Sequence, residues 1–240
     1  MIGSPTRINK YICNSGLCSR KAADRFVESG VVFINNQCAN VGNKVWPGDN
    51  VTVNEQSILP LTHDEFIVVA FNKPVGVVCT ATPTIKNNII DFVNYGSRLL
   101  PIGRLDKDSQ GLILLTNRGE LANKILNAGN SHEKEYVVTV NREITDDFIA
   151  GMSNGVPMLG MKTKPCKMSQ ESSFVFRITL LQGLNRQIRR MCKHFGYSVQ
   201  TLDRARIMHI ELNGLAVGAW RELDEDERCQ LFRAVGLASL

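Results

Sequence analysis

Long apolar runs are missing from this chain. The longest continuous one, residues 66–71, is far too short to cross a bilayer. No charged-then-apolar leader opens the sequence, since Arg7 and Lys10 lie in a polar, helix-like stretch. The expectation is therefore a cytoplasmic protein with no membrane partner. Cysteine is present but unframed: none of the seven (Cys13, Cys18, Cys38, Cys79, Cys166, Cys192, Cys229) is spaced Cys-x-x-Cys from another, and the count is odd. That pattern reads as reduced thiols rather than a disulfide framework. The four histidines are equally scattered, so no metal site is expected. Internal repeats and low-complexity tracts are also absent. With 43% hydrophobic and 21% charged residues in 240, disorder is excluded and one large or two smaller cored domains fit.

The net charge of +5 is small, but it is concentrated. Residues 183–210 hold Arg186, Arg189, Arg190, Lys193, Arg204 and Arg206 against Asp203 alone, a local excess equal to that of the whole chain. Residues 224–227 are all acidic. A concentrated basic patch points to a polyanionic partner, nucleic acid first.

The first sixty residues read as a small unit of two basic helices and a sheet. A helix over 7–14 carries Ile8, Tyr11 and Ile12 on one side. Ser19 caps a second helix that stops at Gly30, with Lys21 and Arg25 four apart on one face. Strands follow at 31–34 and 51–53, with turns at Asn35-Asn36 and Pro47-Gly48-Asp49. Residues 55–64 read as a linker. The remainder predicts strands at 65–71, 112–116, 136–140, 174–181 and 207–212, and helices at 118–126, 145–152, 185–195 and 224–235. The domains are expected at 1–60 and 61–240, the second an α+β domain with a mixed sheet.

Four segments carry candidate chemistry. In the helix expected from Asn185, Ile188, Met191, Cys192 and Phe195 occupy one face. Arg186, Arg189, Arg190 and Lys193 repeat the same spacing on the opposite one. No acid on the helix offsets them, which favours phosphate contact over a merely solvated face. Gly103-Arg104-Leu105-Asp106-Lys107-Asp108-Ser109-Gln110-Gly111 is a polar, glycine-bounded loop ahead of an apolar strand. Its two aspartates fit an acid/base couple, metal ligands, or a turn bonded to its own backbone. Asn72-Lys73-Pro74-Val75-Gly76-Val77 is a tight turn whose Lys73 is a candidate phosphate contact, and Lys134-Glu135-Tyr136 starts a strand.

In this order the segments resemble the pseudouridine synthases of the RsuA/RluB/RluE/RluF type. Phe71-Asn72-Lys73-Pro74-Val75-Gly76-Val77 is similar to the first motif. Gly103-Arg104-Leu105-Asp106 with Ser109-Gln110-Gly111-Leu112 resembles the catalytic motif, Lys134-Glu135-Tyr136 the tyrosine motif, and Leu184-Asn185-Arg186-Gln187-Ile188-Arg189-Arg190-Met191 the third. Residues 103–117 and 182–195 are most similar to a member acting on large-subunit ribosomal RNA. The N-terminal unit resembles the small α/β RNA-binding domain of a ribosomal small-subunit protein. One departure is Ser109, where many related synthases have threonine.

The resemblance implies a largely antiparallel, mixed-sheet catalytic domain that isomerises a uridine inside an RNA chain without cofactor or metal. It implies Asp106 as the essential nucleophile or base, the choice between them left open, and Arg189 as the cation that pairs with it. Tyr136 is implied to stack on the base and assist loss of the C5 proton. Arg104 is implied to fill the space left by the extruded uridine, with Lys73 and Pro74 shaping the site. RNA contacts are expected from Arg104, Lys73, Arg186, Arg190, Lys193, Arg7, Lys10, Arg20, Lys21 and Arg25. The expected partner is large-subunit ribosomal RNA, with transfer RNA a further candidate and a monomer the expected state. The rival expectations are a synthase for small-subunit or transfer RNA, and a non-catalytic RNA-binding or ribosome-assembly protein. Asp106 argues against the last, because a carboxylate among phosphate-binding cations only weakens pure binding.

Overall fold

The computed structural model describes residues 4–62, 65–127 and 132–237. They divide into two compact units, one formed by the chain up to residue 66 with residues 96–98 and 117–119, the other by the rest.

In the first unit, β1 (Thr6–Arg7) leads into α1 (Ile8–Asn14) and then α2 (Arg20–Glu28). Ser19 caps α2 as expected, its hydroxyl accepting from Ala22 N at 3.2 Å. Strands β2 (Val32–Ile34), β3 (Gln37–Cys38), β4 (Lys44–Val45), β5 (Val51–Val53) and β6 (Gln56–Ile58) follow. A four-stranded sheet runs in the order β3-β2-β5-β6, and β1 pairs β4. Asn35 and Asn36 both take positive φ, as the tight β2–β3 connection requires. Asn54 and Glu55 do the same between β5 and β6. This second hairpin corrects the linker reading of residues 55–64: the polar stretch pairs by its backbone, and only Ile58 marks it as strand. Its last two residues, 63 and 64, lie outside the described residues. Ile8, Ile12, Ala23, Val27, Val32, Val51 and Val53 form the core of the unit.

The second unit comprises β7 (Val68–Lys73), α3 (Ile89–Val93), β8 (Leu100–Ile102), β9 (Gln110–Thr116), α4 (Gly119–Leu126), β10 (Lys134–Val140), α5 (Asp146–Ser153), β11 (Pro157–Met158), β12 (Met161–Lys162), β13 (Lys167–Ser172), β14 (Val175–Leu180), α6 (Gln187–His194), β15 (Val199–Ile207), β16 (Ile210–Glu211), β17 (Trp220–Glu222) and α7 (Glu225–Ala234). Its main sheet runs β13-β14-β10-β15-β9-β7-β17, with β8 beside β9 and β16 beside β15. Only the β15–β9 pairing is parallel. The α+β, largely antiparallel expectation holds. Every residue of β7 is buried, so its apolar run faces covered surfaces on both sides. One face of the sheet packs Phe71, Ile113, Val138 and Phe176 against Phe148 and Met152 of α5 and Met191 of α6.

Two further expectations differ from the structure. Residues 199–206 are strand, although the sequence pattern predicts one only from 207. And α6 begins at Gln187, with Arg186 rather than Asn185 at its N-cap, in the left-handed region (φ 49°) and without a side-chain cap.

Register does more for function than the element order. Lys73 pairs with Gly111, Gly111 with Arg204, and Arg204 with Tyr136. Residues from four separated segments thus form a single row across β7, β9, β15 and β10. Gly111 is forced to be glycine. Its φ is +109°, and a Cβ there would lie 2.5 Å from both the backbone N and O of Arg204.

Candidate active site

The loop between β8 and β9 is held from below by backbone contacts. Gly76 N donates to Lys107 O at 2.8 Å, and Ser109 N to Asp106 O at 3.1 Å. Leu105 is buried, and its N donates to the buried Cys79 thiol at 3.4 Å. Burial pushes the Cys79 thiol up, which keeps it a neutral packing group. The flanking residues fixed in this way set Asp106 half-buried at the mouth of a cleft of about 460 Å³. Its walls include Arg104, Tyr136, Arg186, Arg189 and Arg204, and its size suits a small planar ligand. A second cavity of about 400 Å³ lies on the other side of Asp106, against Val75, Gly76 and Cys79.

The aspartates of the loop answer to arginines. Arg186 binds Asp108 through both arms, Nη1 to Oδ1 at 3.1 Å and Nη2 to Oδ2 at 2.9 Å. The same guanidinium stands 3.6 Å from Asp106 Oδ2. The bond from Arg186, with help from the nearby Arg189 charge, holds the Asp108 carboxyl below the usual carboxylate range. Arg189 donates to Asp108 O at 2.9 Å, Ser109 Oγ at 3.2 Å and Val199 O at 3.3 Å, and its Nε lies 3.5 Å from Asp108 Oδ2. The pairing implied for Arg189 therefore differs: it braces the loop at Asp108, and Arg186 is the cation that stands against Asp106. Arg189 comes from the first turn of α6 and is drawn inward, which a helical wheel does not reveal.

Tyr136 is 8% exposed and enters the cleft from β10. Two residues earlier on the same face, Lys134 lines the same cleft. Burial, and the Arg204 charge beside it, lower its pKa. Asp106, Tyr136, Arg104, Arg186 and Arg189 are thus brought together. Lys73 is not: it is fully buried, and its Nζ donates to Pro74 O at 2.7 Å and Val77 O at 3.0 Å. This corrects its reading as an RNA contact, because a phosphate has no access to it. Its ammonium instead ties the turn after β7.

Arg190 is exposed and bonded to Asn185, through its O at 3.1 Å and its Oδ1 at 3.2 Å. Lys193 is exposed on α6. Arg7, Arg20, Lys21 and Arg25 are exposed in the first unit, and Lys10 is half-buried there. Among the described residues, no group of three or more His, Cys, Asp or Glu could hold a metal ion, and no helix is long and apolar enough to cross a membrane. Sequence reasoning missed Lys134 as a cleft cation and counted Arg204 only as charge. The sequence offered no clear signal for Arg204, because Arg206 repeats it two positions later in the same stretch.

A small unit of two helices and a short sheet thus precedes a mixed sheet whose cleft holds a half-buried carboxylate among arginines. The family model described as RNA pseudouridylate synthase matches residues 67–194, and the S4 domain model matches residues 6–51. The chain belongs to the RNA pseudouridine synthases, in their RsuA/RluF branch. It is 58% identical to the dual-specificity RNA pseudouridine synthase RluF of Escherichia coli (strain K12), over 97% of this chain and 80% of that one. It is also 32% identical to the ribosomal large subunit pseudouridine synthase B of Bacillus subtilis (strain 168), over 92% of this chain and 93% of that one. A crystal structure titled pseudouridylate synthase superimposes with a TM-score of 0.68 at 28% identity, covering 94% of this chain and 99% of that one.

Proposed function

We propose that this pseudouridine synthase acts on a uridine of large-subunit ribosomal RNA, taking it out of the helix into the cleft beside Asp106. The observation that carries the reading is the setting of Asp106, a half-buried carboxylate at a cleft whose other charged groups are cations. A carboxylate costs phosphate affinity there unless it does chemistry. Beside the anomeric carbon of a bound uridine, it is placed to attack C1′ or to take a sugar proton while the bond to N1 breaks. Arg186, 3.6 Å from Asp106 Oδ2, is the cation that faces it.

The uracil then turns, C5 bonds to C1′, the C5 proton leaves and N1 takes one up, so the product is an isomer. Tyr136 covers the base from β10. Extrusion costs a few kcal/mol, and Arg104 at the cleft mouth is placed to hold the vacated space. RluF, by its name, has dual specificity, and this favours a second RNA substrate, for which transfer RNA is the candidate.

The test maps pseudouridine in ribosomal and transfer RNA incubated with the purified protein. Wild type is expected to modify a large-subunit site, and Asp106→Ala to form no product while still binding that RNA. A fully active Asp106→Ala would end the catalytic assignment. Product confined to small-subunit RNA would end the substrate assignment.

A further inference from the structure

Arg204 is a buried cation of the site that meets no carboxylate among the described residues. It is 3% exposed and projects from β15 beside Tyr136, its cross-strand partner. Its Nε donates to Leu112 O at 2.6 Å, and its Nη1 to Arg104 O at 3.4 Å. Those two carbonyls flank the loop that carries Asp106, so one guanidinium grips both ends of the catalytic motif. Nη2 is buried with no hydrogen-bond partner. Arg204 forms no ion pair among the described residues. A buried cation without a counterion costs several kcal/mol, and guanidinium cannot shed its proton to escape that cost. Simple bracing of two carbonyls needs no such charge.

The cleft supplies a reason to keep it. Arg204 and Lys134 both line the cavity that holds Asp106 and Tyr136. When the C1′–N1 bond breaks, its electron pair leaves with the uracil ring, whichever way Asp106 meets the charge at C1′. The detached base is an anion until C5 bonds to C1′. A fixed cation in a water-poor wall is worth most against charge that appears only in the reaction.

We propose that Arg204 is the positioning residue of the catalytic loop and also the fixed positive charge that stabilises the departing uracil anion. This rests on the reading of the cleft as the uridine site. The charge then favours C1′–N1 cleavage more than RNA binding.

The test compares Arg204→Gln with wild type under single-turnover conditions on two target RNAs, one with uridine and one with 5-fluorouridine at the modified position. Consumption of the target nucleoside is read after digestion. Fluorine makes the base a better leaving anion, so it needs less help. Loss of the fixed charge should slow the uridine RNA by about 10²-fold or more, the scale seen when a preorganised polar group is removed. The fluorinated RNA should slow at least tenfold less, with RNA affinity near wild type. Equal slowing of both RNAs would reduce Arg204 to a structural brace and overturn the proposal, and so would an unimpaired variant.

Should Arg204→Gln not fold, Arg204→Lys gives the same reading, because a buried lysine titrates in an accessible range and arginine does not. The uridine-to-fluorouridine rate gap should widen between pH 7 and pH 9.5 for Arg204→Lys, beyond any change in wild type. A constant gap overturns the proposal. Wild type that forms no pseudouridine in either RNA would instead refute the site reading beneath it.

Discussion

Two sets of cations serve this protein in opposite settings. Lys73 and Arg204 are buried in the catalytic sheet, on one row with Gly111 and Tyr136, and bond backbone carbonyls. Arg20, Lys21, Arg25, Arg190 and Lys193 stand exposed on or beside helices. The first set shapes the site and its field, and salt does not reach it. The second is exposed to solvent, where a phosphate contact would contribute through released counterions. A count of lysine and arginine merges the two, although removing a member of one should register in stability and of the other in salt dependence.

The row itself offers the strongest way to break this contrast. Gly111→Ala sets a Cβ against the backbone of Arg204 at a φ that alanine avoids. Since neither strand can yield without breaking the sheet, a loss of about 3 kcal/mol or more is expected. That corresponds to a fall in Tm of about 6–12 °C for a chain of this size. A Tm within 2 °C of wild type would show that the row is not rigid. Next in size is Lys73→Met, which leaves the Pro74 and Val77 carbonyls without their donor. A loss of about 1–3 kcal/mol is expected, with the slope of log affinity against log salt unchanged. A reduced slope would return Lys73 to the RNA-binding set.

The sequence was legible where the determining chemistry is local. Ser19, Thr145 and Asp224 cap their helices because a side-chain oxygen needs only the next turn. The apolar runs of β7 and β9 announce strands covered on both faces. Legibility ended where a residue's meaning depends on its neighbours in space. Val199–Ile207 carries Gln200, Asp203, Arg204 and Arg206 and has a weak strand pattern. It is strand because β9 and β10 pair it on both sides. Arg206 survives there by binding Glu133 and Glu135, at 3.1 Å and 2.9 Å. Lys73 looks like any turn lysine until the fold buries it. For the site, the motifs pointed to Asp106, Arg104 and Tyr136, which the fold brings to one cleft, but not to the stand of Arg186 against Asp106. Arg186 is left-handed and precedes α6, and its guanidinium reaches the loop.

The exposed set is sharpened by salt titration. Lys21→Gln combined with Arg25→Gln should lower the magnitude of the salt slope by about 0.7–0.9 for each phosphate no longer neutralised, with Tm shifted by no more than about 1 °C. Arg190→Gln combined with Lys193→Gln should act alike from the catalytic unit. Binding whose salt slope is untouched by all four changes would remove these residues from the RNA interface.

Asp108 holds two cations that belong to neither set, drawing Arg186 and Arg189 toward the loop beside the exposed Arg190 and Lys193. Its pair with Arg186 is about half exposed, so solvent screening limits it to the smallest effect, below about 1 kcal/mol. The sign of its pH dependence is fixed by the depressed carboxyl. Such a group contributes stability above the unfolded carboxylate value, about 3.9, and loses it as pH falls through its lower folded value. The Tm gap between wild type and Asp108→Asn should therefore be level from pH 5 to 7 and shrink below about pH 4. A gap that persists unchanged at pH 3 would mean that the charge of the carboxylate is not what Asp108 contributes, because the protonated acid would then hold the loop as well as the ionised one.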